Sequence, residues 1–127
     1  MDKIVIQTDK AVKPGGPYSQ GIKVGDTIYV AGFVGISPET GKVIEGGIKE
    51  QATQVMENVK AVLEAGGSSM SDVVKTTVFL TRMEDFSGMN EVYKAYFPSD
   101  PPVRTTVGIK LPLPELLIEI DVIARIK

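Results

Sequence analysis

The stretch from Pro101 to Ile126, PPVRTTVGIKLPLPELLIEIDVIARI, decides how the chain is read, because it holds two alternating apolar runs separated by a proline-rich turn. Side chains of a strand alternate between faces. In the first run Val103, Thr105, Val107 and Ile109 share one face, and Arg104, Thr106, Gly108 and Lys110 the other. In the second, Leu116, Ile118, Ile120, Val122 and Ala124 oppose Leu117, Glu119, Asp121, Ile123 and Arg125. Burying the more apolar set of each run predicts that Arg104 and Glu119 both lie opposite the core. A hairpin through LPLPE then sets Thr106 across from Glu119 and Arg104 across from Asp121, leaving Arg104 and Glu119 as diagonal neighbours roughly 7–8 Å apart. At that spacing an arginine and a glutamate border one small ligand; the competing reading is an ion pair on a half-exposed sheet. Thr106 and Gly108 are small and leave room beside a guanidinium that can grip a carboxylate through two parallel hydrogen bonds.

Outward from this stretch, the apolar period switches between two and 3.6 in an orderly way. Residues 3–6 and 20–24 read as short strands, and TIYVAGFVG from Thr27 as a buried one. From Ile48, the residues Ala52, Val55, Met56, Val59, Val62 and Leu63 recur at helical spacing, and Gly66-Gly67 supplies the stop. VVKTTVFL from Val73 is β-branched and reads as a strand. Thr81-Arg82-Met83-Glu84 offers a capping box for a second helix with the stripe Phe86, Met89, Tyr93, Tyr96 and Phe97, ended by Pro98. The order βββαβαββ is that of an α+β fold, a mixed sheet with two helices on one face, and residues 1–127 are read as a single domain. The uncovered sheet face predicts self-association.

Composition removes several chemistries. The chain has 127 residues, 14 basic and 16 acidic, for a formal net charge of −2, and no cysteine or histidine. No thiol nucleophile, imidazole base or usual transition-metal ligand pair is available. The acidic balance argues against nucleic acid as partner. Chemistry falls to carboxylates, Arg, Lys, Tyr, hydroxyls, backbone groups and water. MDKIVIQTDK contains an apolar run far shorter than a signal peptide's, and nothing later reaches the length of a membrane span, so a cytoplasmic protein is expected.

Two further residues stand out. Asn90 lies on the apolar stripe of the second helix, four after Phe86 and three before Tyr93, where an amide needs partners. It either caps a neighbouring strand's backbone or serves a ligand. Tyr18, in PGGPYSQG, either packs its loop or orients a substrate through its hydroxyl. The pairs Gly15-Gly16 and Gly66-Gly67 match no phosphate-binding fingerprint.

Gly16-Pro17-Tyr18-Ser19-Gln20, the ETGK turn, Met89-Asn90-Glu91-Val92-Tyr93 and above all the spacing of PVRTTVGIKLP with IEIDVIA resemble the RidA/YjgF/YER057c/UK114 family across essentially the whole chain. The resemblance implies a chorismate-mutase-like fold, a homotrimer around a central barrel with clefts between subunits, and hydrolysis of 2-iminobutanoate and 2-iminopropanoate to 2-oxo acids and ammonia. Such an activity protects pyridoxal-phosphate enzymes from reactive imines. It further implies Arg104 as the carboxylate anchor, Glu119 as the acid that positions water, and Tyr18, Gly32, Asn90 and Thr106 as cleft residues, with no cofactor and no metal. Ala31-Gly32-Phe33 stands where deaminase-type members usually carry serine, glycine and glutamine, and Thr106 where they carry cysteine. Ala31 removes a hydroxyl from the expected binding wall and Phe33 makes it more apolar. The alternatives are a non-catalytic small-carboxylate-binding or protective trimer and, further off, a ribonuclease or translation inhibitor.

Overall fold

The computed structural model describes residues 1–126. The chain runs β1 (Lys3–Ile6), β2 (Gly21–Val24), β3 (Thr27–Val34), α1 (Ile48–Ala65), β4 (Val73–Leu80), α2 (Phe86–Tyr96), β5 (Val103–Gly108) and β6 (Ile118–Arg125), which is the expected α+β order. The strands form one six-stranded sheet ordered β1-β2-β3-β6-β4-β5, antiparallel throughout except for the parallel β4–β5 pair.

Both helices cover one face. The stripe Ala52, Val55, Met56, Val59, Val62 and Leu63 of α1 is buried against Ile28, Val30, Ile120 and Val122 of the sheet, the arrangement that periods of 3.6 and two produce when they meet. Gly67 ends α1 at φ +87°, and Ser68 N–H donates to Leu63 O at 2.8 Å, closing the last turn in a way that favours glycine. No helix among the described residues is long and apolar enough to cross a membrane.

Three polar side chains tie the loops to this core. Asn58 of α1 donates to Ile36 O at 3.0 Å and Val34 O at 3.4 Å and accepts from Val12 N–H at 3.3 Å. Gln51, one face-repeat earlier on the same helix, donates to Glu115 O at 2.8 Å and accepts from Leu117 N–H at 2.9 Å. Gln20 accepts from Thr8 N–H and donates to the Thr8, Ala11 and Val12 carbonyls, organising the segment between β1 and β2.

Two local expectations fail. The capping box at Thr81 does not form: a 3-10 turn over Met83–Asp85 precedes α2, Arg82 clasps Asp85 through two bonds of 3.0 Å, and the Thr81 hydroxyl turns to the Leu116 and Leu117 carbonyls. The β5–β6 hairpin does not form either. β4, α2 and β5 make a strand–helix–strand crossover, whose strands pair in parallel, and β6 fills the slot between β4 and β3.

Candidate functional site

The crossover decides where Arg104 points. In register, Arg104 pairs with Thr76 and Thr106 with Val78 on β4, and Thr76 and Val78 pair onward with Val122 and Ile120 on β6. All four of these β4 and β6 residues are buried under the helices. Arg104 and Thr106 therefore face the helix layer, while Val103, Thr105 and Val107 face out. Glu119 belongs to the other set: it pairs with Phe79 and Val34 on the open face, beside Asp121 and Ile123. The expectation that Arg104 and Glu119 share a face is thus corrected. Within one chain they sit on opposite faces of the sheet with β4 between their strands.

Arg104 is half-buried at the edge of the sheet, held by α2. Nη1 donates to Asn90 Oδ1 at 2.8 Å, and the guanidinium carbon lies 4.7 Å from the Tyr93 ring centroid and 5.6 Å from that of Phe86, distances of cation–π contact. Asn90 thereby finds the partner its place on the stripe demands, and it is a side chain of the candidate site. Tyr93 is itself anchored, its hydroxyl 2.8 Å from Thr76 Oγ1, and burial pushes its pKa up. No acceptor among the described residues engages Nε or Nη2 of Arg104, and no carboxylate pairs with it. A clamped guanidinium with one edge unengaged is disposed to take a planar anion in two-point fashion. Two residues along the same face, Thr106 Oγ1 is the one buried side-chain polar atom among the described residues that lacks a hydrogen-bond partner.

The second group gathers where β3 meets β6. Between Val30 and Phe33 the register slips, so that Ala31 and Gly32 form a bulge. Ala31 N–H donates to Gln20 O at 2.9 Å, which brings the loop carrying Tyr18 alongside. The Glu119 side chain lies across Gly32, so close that a Cβ there would collide with its carboxylate. No donor or cation among the described residues engages Glu119. Burial, and secondarily the charge of Asp121, raises its pKa. Such a carboxylate is a stronger base than an exposed one.

Tyr18 is exposed, and its hydroxyl accepts from Gly15 N–H at 3.1 Å. Phe33 departs from expectation: its side chain is buried in the core, because the bulge flips parity between Val30 and Phe33, so its ring forms no wall of an open cleft in this chain. The structure thus assembles two half-sites, Arg104 with Asn90 and Thr106, and Glu119 with Gly32 and Ala31. Sequence reasoning missed Phe86 and Tyr93 as the rings flanking the guanidinium; their spacing from Asn90 on one helical stripe was the available signal. No cluster of three or more acidic residues among the described residues is placed to hold a metal ion.

The family model described as Endoribonuclease L-PSP matches residues 8–126. The chain belongs to this family, also named RidA. Within it, the chain is 52% identical over 124 residues to a RutC family protein of Pyrococcus abyssi, covering 98% of each. It is 44% identical over 107 residues to the 2-iminobutanoate/2-iminopropanoate deaminase of Dermatophagoides farinae, covering 84% of each. Among solved structures, RidA from an Antarctic Psychrobacter superimposes with a TM-score of 0.92 at 46% identity, over 97% of this chain and 99% of that one. The RidA-family fold expected from the motifs is the fold observed.

Proposed function

We propose that the protein hydrolyses 2-imino acids to 2-oxo acids and ammonia, in clefts where Arg104 of one copy and Glu119 of a second copy face the same substrate. One observation carries this reading. Two half-buried, oppositely charged side chains lie unpaired on opposite faces of one sheet. Isolated charges out of water are costly, and apposing the β5 edge of one copy to the β6 face of another offers both a ligand to share. The apolar residues Tyr29, Phe79, Val107 and Ile123 of the open face favour such contact. A homotrimer is the assembly we infer, and the relatives named as deaminases supply the reaction class.

In the proposed reaction, Nε and Nη2 of Arg104 hold the substrate carboxylate, while Asn90 and Tyr93 fix the guanidinium plane. Its imine carbon is electrophilic once the nitrogen is protonated. Glu119, basic because it is partly buried, takes a proton from water as that water adds to C2, and the proton leaves with the nitrogen as ammonia departs. Backbone groups near Gly32 and Thr106 hold the remaining polar atoms in this reaction. These groups and water suffice for the chemistry.

The test is the disappearance of 2-iminobutanoate generated in situ by threonine dehydratase, with residual imine trapped by semicarbazide. Wild type should accelerate the loss, and Arg104→Ala and Glu119→Ala should return it to background while keeping the wild-type circular dichroism. Equal acceleration by both variants would refute the assignment. A second reading, a non-catalytic carboxylate binder, draws on the Escherichia coli TdcF structure with bound serine, which is 36% identical. Binding of 2-oxobutanoate at Arg104 without imine turnover would establish that alternative.

A further inference from the structure

Beside Arg104 the surface opens into a cavity of about 420 Å3 that the hydrolysis of short imines leaves unexplained. Arg104 and Asn90 stand at one end; Tyr93, Phe97, Pro101 and Pro102 supply largely apolar walls, with Lys94 also in the lining. The walls are stiff. Tyr93 and Phe97 are both buried, their rings packed at a tilt with 4.7 Å between centroids, and two consecutive prolines restrict the chain that closes the far side. Cavities of roughly 300–1,000 Å3 accommodate drug-sized ligands, so a four-carbon acid fills only a part of this one.

We propose that this cavity is a side-chain subsite, and that the protein prefers 2-imino acids with larger apolar side chains, such as those derived from leucine or phenylalanine, over three- and four-carbon ones. The inference rests on the hydrolytic reading above and adds the substrate class. Arg104 lines the same cavity as Phe97, Pro101 and Pro102, so a carboxylate held at its guanidinium has these apolar residues within reach of the substrate's side chain. Apolar walls there reward each further methylene with about four-fold, equivalent to about 0.8 kcal/mol. The chemistry is unchanged by the longer chain: water adds across C2=N, the C–N bond breaks, and the products are the 2-oxo acid and ammonium.

The experiment compares kcat/KM for imines made in situ by an L-amino-acid oxidase from leucine and from 2-aminobutyrate, in wild type and in Pro101→Trp, which places an indole in the cavity mouth. Calorimetric binding of 4-methyl-2-oxopentanoate and 2-oxobutanoate runs alongside. Wild type should favour the leucine-derived imine by about ten-fold, with the ratio abolished or reversed in Pro101→Trp. Equal or inverse preference in an active wild type would overturn the subsite and leave the hydrolytic reading standing. Turnover of neither imine, with 4-methyl-2-oxopentanoate bound more tightly and that preference lost in Pro101→Trp, would support the subsite and refute hydrolysis. Neither turnover nor a binding preference would overturn both.

Discussion

At the scale of single residues, the types needed for imine chemistry were visible in the sequence, and their directions were not. Arg104 and Glu119 stand out among aliphatic neighbours in any reading of residues 101–126. Their faces depended on which strand lies beside β5, which alternation alone does not encode. Asn90 was legible because an amide on an apolar stripe requires partners, and it found Arg104. The raised pKa of Glu119 carries a pH dependence. Because the folded state holds this proton more tightly than the unfolded chain, the associated stability is present at low pH and is lost as pH rises through the raised pKa. In the proposed reaction the base is the deprotonated form. Imine hydrolysis should therefore rise with pH along a limb above the ordinary carboxylate range, while wild type loses stability relative to Glu119→Gln across the same window. A kcat/KM profile paired with urea denaturation at each pH checks both signs; a limb at the position of an exposed glutamate would contradict the assignment.

At the scale of elements, the helices and strands were readable almost to their ends, since α1 from Ile48, β4 over Val73–Leu80 and β1 over Lys3–Ile6 each carry an unambiguous period. The pairing of β5 was misread because a short loop between two strands suggests a hairpin, whereas the helix between β4 and β5 directs parallel pairing. The capping box at Thr81 was misread because Arg82 and Asp85 satisfy one another in a 3-10 turn first. Gln51 and Asn58 went unnoticed, although both sit on the buried side of α1 seven residues apart, a repeat that mirrors the reasoning applied to Asn90. Asn58→Ala should strand the Ile36 carbonyl and the Val12 N–H, costing about 2–4 kcal/mol. Tm should fall by on the order of 10 °C. Thermal unfolding followed by circular dichroism measures it, and a shift within a degree or two would show that solvent replaces these bonds.

At the scale of the whole molecule, the uncovered sheet face was anticipated from the count of helices, and its chemistry fits a contact surface. Tyr29 and Ile123 are cross-strand partners there, and Ile123 also pairs with Lys75. Ile123→Lys would set two ammonium groups across adjacent strands on that face, with little cost to an isolated chain in water. If the proposed assembly forms, the expected result is its dissociation to monomers in analytical ultracentrifugation, with circular dichroism preserved and imine hydrolysis lost, since the proposed cleft draws on two copies. A variant that remains assembled and active would place the interface elsewhere. The fold itself bears on how the chain is made. β6 joins β3 to β4 in the middle of the sheet yet follows both in sequence. During synthesis, β1 to β5 are all made before the strand that joins β3 to β4 has been translated. Until it arrives, the apolar stripe of α1 has only part of its floor to rest on. Folding to the native core therefore waits on late, long-range pairing, and a growing chain must keep its unpaired strands from other chains in the meantime.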